Sequence, residues 1–357
     1  MITTSTSTAS RAPRDEPAPS LRHLAAMTDE VGVVEHGLYA RPRIEEGYCT
    51  DDAGRLLALA SRLGADPDAA RIARSCLGFL ERAHTSGADF RLRRRGDGEW
   101  TADPPSDDAN ARALLGLGTA AALAPWGDVR ERARRLFDAA CELRTPFPRA
   151  LAYAALGAAE LVREDPANPG AVVLLGRASE FLNLDTVSAS PRWPWWESRL
   201  TYANALLPEA ALAAAAVAHD AAGADRALAR LDWLVRRQTR GEHFSFVGVD
   251  GADESTVPPQ FDQQPIEAWA TASACARAFD YTRDPRWADE VRRAASWFLG
   301  ANDVGVALYD VETGGGYDGL EARGANLNQG AESSMAFVAT MAALREVRGA
   351  TDAITSP

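Results

Sequence analysis

Along most of the chain, apolar residues return every three or four positions, and Ser, Thr, Asp, Gly and Pro punctuate the runs. The pattern predicts twelve helices, at 19–33, 51–64, 67–84, 107–124, 128–142, 148–163, 169–183, 202–219, 223–238, 264–281, 285–299 and 329–347. Two brief alternations, Phe244 to Val249 and Val306 to Val311, predict small hairpin pieces inside loops. The helices are of two kinds. Odd-numbered ones are amphipathic: the fifth has Val129, Ala133, Leu136 and Ala140 on one stripe, with Arg130, Glu131, Arg134 and Asp138 elsewhere. The ninth (Ala224, Leu228, Leu231, Val235) and the eleventh (Val291, Ala294, Phe298) follow suit. Even-numbered ones are small and apolar nearly all round past their first turn, as in ALLGLGTAAALA (113–124) and ALLPEAALAAAAVA (205–218), so they are expected to be buried on every side.

The connections alternate too. Turns from even to odd helices are short (64–66, 124–128, 221–223, 282–284). Links from odd to even are mostly long (34–50, 85–106, 184–201, 239–263, 300–328), apart from the short one at Thr145 to Pro148. In an antiparallel succession all the long links fall at one end, where binding and chemistry usually sit. This strict inner and outer alternation with one elaborated face resembles the (α/α)6 toroid of glycosidases, polysaccharide lyases and sugar epimerases. The expected fold class is therefore all-α: six helical hairpins in two concentric layers. The resemblance covers about 19–347 and is architectural, so it says little about the reaction.

Composition changes the picture mainly by exclusion. The sequence has 357 residues, 46% hydrophobic and 25% charged, as in an ordinary globular protein. We expect one domain over 18–348 between disordered tails at 1–17 and 349–357. A net charge of −12, with no basic run interleaved with aromatics, argues against nucleic acid. Residues 1–17 lack the basic start and apolar stretch of a secretion signal, and no uncharged segment is long enough to span a bilayer, so a cytoplasmic protein without membrane contact is expected. Cys49, Cys76, Cys141 and Cys275 are far apart and the five histidines are scattered; free thiols, no metal and no cofactor follow. Oligomeric state has no signature in the sequence.

Candidate chemistry gathers where the long links enter even-numbered helices. GYCTDDAGR brings Tyr48, Asp51, Asp52 and Arg55; PPSDDANAR brings Asp107, Asp108 and Arg112, so DDAxxR recurs in two hairpins. Capping by Thr50 and Ser106, with Asp51 and Asp107 on the helix dipole, explains part of each motif; a second acid followed by Arg exceeds what capping needs. PRWPWWESRLTYAN supplies Trp193, Trp195, Trp196, Glu197, Tyr202 and Asn204. Three tryptophans in four positions are too many for one helix face to bury, so they are expected to stack on sugar rings. FDQQPIEAWA gives Asp262, Gln263, Gln264 and Glu267, and the glycine-rich run before the twelfth helix gives Tyr317, Asp318, Asn328, Gln329 and Glu332. That run carries no phosphate-loop or dinucleotide signature.

Such a set fits a glycosidase cavity, in which one carboxyl protonates the leaving oxygen and another activates water. Asp52, Asp108, Glu197, Asp262 and Glu332 are the catalytic candidates: Asp52 or Asp108 paired with one of the other three, by an inverting route if the resemblance to (α/α)6 glycosidases holds. The other named residues would bind an oligosaccharide or glycan. GYCTDD and NQGAES are also similar to motifs of bacterial helical domains that travel with sugar-active and glycosyltransferase-type proteins. Phosphorolysis using Arg43, Arg55, Arg112 or Arg199, an epimerase or lyase using Tyr202, Tyr317 or His243, and a non-catalytic glycan-binding or partner module remain alternatives. A terpene cyclase would require DxDD or DDxxD, and neither occurs.

Overall fold

The computed structural model describes residues 16–182 and 192–355. The expected tail at 1–15, part of the link at 184–191, and 356–357 lie outside them. All twelve helices are present: α1 (Arg22–Ala26), α2 (Thr50–Arg62), α3 (Ala69–Ala83), α4 (Asp107–Leu123), α5 (Gly127–Ala140), α6 (Pro148–Glu164), α7 (Pro169–Leu182), α8 (Leu206–Ala218), α9 (Ala221–Gln238), α10 (Pro265–Thr282), α11 (Pro285–Phe298) and α12 (Ala331–Thr355). The even helices touch in the order α2, α4, α6, α8, α10, α12 and back to α2, a closed inner ring; α2 to α10 are each followed by an outer partner packed on them, and α12 packs against α11 and α1.

Glycine sets how closely the inner helices approach. A Cβ on Gly54 would lie 2.2 Å from the Arg112 carbonyl oxygen, on Gly116 2.3 Å from that of Gly54, and on Gly118 2.3 Å from that of Gly157. Backbone thus meets backbone across α2, α4 and α6, and a methyl group there would drive the ring apart. The outer helices bury only a stripe. On α5 this is Val129, Ala133, Phe137 and Ala140, with Phe137 in the place expected for Leu136.

The boundaries differ from the sequence pattern most plainly in four elements, and α8 also starts at Leu206 instead of 202. The first helix stops at Ala26 instead of running to 33, because the Asp29 carboxylate takes the N–H groups of Val31 and Gly32 in a turn. Val306 to Val311 forms only a single antiparallel bridge, Tyr309 with Gly316, because Asn302 captures the start of the loop, accepting from Val304, Gly305 and Val306 and donating to the Val306 carbonyl. A hairpin of Gly319–Glu321 with Gly324–Asn326 stands nearby instead. Of Phe244 to Val249 only Phe244 is in a strand, in His243–Phe244 paired with Thr239–Arg240. Finally, α12 continues to Thr355, so most of the expected tail at 349–357 is helical. Among the described residues no helix is long and apolar enough to cross a membrane, and all four cysteines are free and buried.

Candidate active site

The first turns of the inner helices meet at the end where the long loops gather, and the chain places acids there for a local reason. Ser106 accepts from the Ala109 N–H as the cap of α4, and Asp51, Asp52, Asp107 and Asp108 occupy first turns, where the helix dipole favours negative charge. Arg55 and Arg112 follow one turn deeper, where an aliphatic stem can pack while the guanidinium reaches back to the mouth.

These groups form a nearly continuous ring of hydrogen bonds. From α12, Glu332 accepts from Arg55 Nη1 at 2.5 Å; Arg55 Nη2 donates to Asp52 at 2.5 Å and to Asp51 at 3.5 Å. Arg112 donates to the same Asp51 oxygen, Oδ2, at 2.7 Å, lies 3.8 Å from Asp108, and sits over the rings of Tyr153 and Tyr202. The Tyr202 hydroxyl donates to Asp108. Arg149 donates to the Tyr202 carbonyl, to both oxygens of Glu197 at 2.5 and 2.6 Å, and to Asn204. Asn204 then donates to Glu267 at 3.0 Å. Among the described residues the ring is open between Glu267 on α10 and Glu332 on α12, and is carried between Arg112 and Asp108 by an ion pair at 3.8 Å instead of a hydrogen bond. Three arginines, 2–7% exposed, thereby hold carboxylates of which Glu332, Asp108 and Glu197 keep 38%, 28% and 27% of their side chains open to solvent.

The environments push neighbouring carboxyls apart. Burial raises Asp51, but Arg55, Arg112 and hydrogen bonds outweigh it and bring it down to about 2. Asp52 is pushed well above the ordinary range by burial and by the charge of Asp51, against the pull of Arg55. Burial raises Glu267 to about 6 despite its bonds from Asn204, and its Oε1 has no partner among the described residues. A carboxylate-rich ring therefore keeps a proton that isolated carboxylates would lose.

Several expected site residues have their partners outside the ring. Tyr48 is 4% exposed and its hydroxyl donates to Asp29. Trp193 and Trp195 are buried, packed with Trp233 at 5.2 and 5.5 Å, while the half-buried Trp196 donates to the Leu182 carbonyl under Arg230. The three rings that one helix could not bury are covered by an outer helix, α9, which carries Trp233. Gln263 is buried, accepting from Phe246 and Trp297 and donating to Asp303. Gln329 braces Thr313 and Asp310, Asn328 accepts from Tyr39, and Asp318 accepts from Gly330 and Ser333 at the start of α12. Asp107 accepts from Thr145, Gln264 precedes α10 without capping it, and Tyr317 is half-buried beside that brace. Asp262 is exposed, and among the described residues no bond ties it to the ring. Arg149 and Tyr153 escaped the sequence pattern because their helix follows the one short link. The available signal was a lone charge in the otherwise apolar run 147–159.

No protein-family model matches the chain, and none of the curated proteins does. Solved structures do match. A cellobiose 2-epimerase from Bacillus thermoamylovorans aligns over 91% of this chain and 96% of its own at 13% identity, TM-score 0.68. A D-mannose isomerase covers 92% and 95% at 12% identity, TM-score 0.61. A family 76 α-mannanase from Bacteroides thetaiotaomicron covers 92% and 95% at 11% identity, TM-score 0.58. At such identities the likeness establishes the fold, an (α/α)6 toroid of six helical hairpins.

Proposed function

We propose that the chain is a carbohydrate-active enzyme that cleaves glycosidic bonds, with Asp108 and Glu332 as its reacting carboxyls. The observation that carries this is the ring itself: solvent-reached carboxyls stand on α4 and α12, on either side of α2, with the partly buried Asp51 and the buried Asp52, Arg55 and Arg112 between them. One carboxyl would protonate the leaving oxygen while the other activates water. Glu197 and Tyr202 would bind hydroxyl groups beside them. None of the five histidines has a hydrogen bond or ion pair to a member of the ring among the described residues, which favours carboxyl chemistry over a histidine base. The similar solved structures also include proteins titled as epimerases and an isomerase, and they support a second outcome, rearrangement of one sugar without cleavage.

The test is hydrolysis of a panel of glucose- and mannose-based oligosaccharides, with and without inorganic phosphate, followed by mass spectrometry of the products. Asp108→Asn and Glu332→Gln are each expected to lower turnover by about 10²–10⁴-fold. Unchanged turnover in both variants overturns the assignment. Product of unaltered mass replaces cleavage with epimerisation, and dependence on phosphate replaces hydrolysis with phosphorolysis.

A further inference from the structure

Three ionic residues of the inner helices form a second cluster apart from the ring at the mouth: the buried Glu160 on α6, the buried Glu209 on α8 and the partly buried Arg277 on α10. They meet on the axis of the toroid. Arg277 donates to Glu160 at 3.0 Å and to Glu209 at 3.2 Å, and Arg62, from the last turn of α2, donates to Glu160 at 2.9 Å. A buried network of this kind costs desolvation and adds little stability over a packed apolar core. Here it does not seal the axis. It lines a cavity of about 250 Å³ that follows α10 from Ile266 to Arg283, just past the helix's last residue, and so reaches the face opposite the active-site mouth.

The cavity has a built chemistry. Its lining holds four arginines and four carboxylates, so the charges balance and a charged ligand finds no net attraction. What it presents is a set of donors beside acceptors, which suits hydroxyl groups able to do both. Thr119 adds a hydroxyl that is fully buried, lines the cavity and has no partner among the described residues. The half-buried Trp269 contributes a flat apolar ring, with Leu59 and Leu156 among the other apolar lining residues. The volume lies below the roughly 300–1,000 Å³ of drug-sized sites, which suits a single sugar ring better than a chain.

We propose that the axial cavity is a second ligand site, open at the short-turn face, that takes a neutral monosaccharide. Arg62, Glu160, Glu209, Arg277 and Thr119 bond its hydroxyls, and Trp269 packs on its apolar face. The site shares none of the carboxyls assigned at the mouth; Tyr153, under Arg112, lines its inner end.

The test is titration of the full chain with D-glucose, D-mannose and D-galactose by saturation-transfer NMR and calorimetry, with glucose 6-phosphate and laurate as charged and apolar comparators. Binding of at least one neutral sugar is expected, and it should survive in the Asp108→Asn/Glu332→Gln double variant. It should weaken by about tenfold or more in Ser273→Phe and Ala343→Leu, which fill the cavity without removing a bonded group, and less in Thr119→Val. Circular dichroism checks that the filled variants fold; if neither does, the sugar is soaked into crystals of the unaltered protein, where electron density beside Trp269 supports the site and its absence overturns it. No binding of any neutral sugar, binding unaffected by both fillers, or preference for the phosphate or laurate would each overturn it. Loss in the double variant alone would place the bound sugar at the mouth.

Discussion

At the scale of single residues, the informative feature is a carboxyl with no partner for one oxygen. Glu267 is 1% exposed, and burial raises it to about 6 from the usual 4.5. A raised acid binds its proton more tightly folded than unfolded, so its contribution falls as pH rises from about 4.5 to about 6 and stays lost above. The cost above that window is about 2 kcal/mol. Glu267→Gln should therefore flatten the decline of thermal stability across that window, measured by calorimetry at a series of pH values; an unchanged slope would show that Glu267 does not cause it. Tyr48, Gln263 and Gln329 teach the complementary lesson. Their positions beside the mouth were legible from spacing, but each side chain turns to a local partner, which spacing cannot reveal.

At the scale of helices, small residues decide. Alternation of amphipathic with all-apolar segments identified every helix and its layer, because burial on one side or all sides leaves a direct mark on composition. What the alternation did not contain was the closeness of particular pairs. Gly116→Ala puts a methyl 2.3 Å from the Gly54 carbonyl oxygen and is expected to cost about 1–3 kcal/mol or more, while Gly176→Ala, exposed on α7 with nothing within 4 Å, should gain about 0.5–1 kcal/mol from helix propensity. Urea unfolding of the two variants checks this. Equal effects would mean that the inner contacts can relax.

At the scale of the molecule, arginine-paired acids join the inner helices to one another and set the response to pH. Burial opposes ionisation of Asp51 and Glu160, yet arginines hold each at about 2. Depressed acids stabilise above their unfolded values, and that contribution is lost as pH falls from about 4 through 2. Acid unfolding should thus steepen in that range, and Glu160→Gln should weaken the steepening while costing about 1–3 kcal/mol at neutral pH, since Arg277 keeps Glu209 and the half-exposed Arg62 keeps water. Circular dichroism against pH follows both, and an unshifted acid transition would remove Glu160 from the account. The sequence by itself determined twelve helices, their two layers, the loaded face and its acidic helix starts, because periodicity, loop length and dipole-matched acids are local properties. Only the tertiary structure decided which acids share an arginine, that Trp193 and Trp195 serve the core, and that Glu160, Glu209 and Arg277 meet on the axis. Those outcomes depend on residues up to 277 positions apart, such as Arg55 and Glu332, and no local pattern encodes which distant partner satisfies a buried charge.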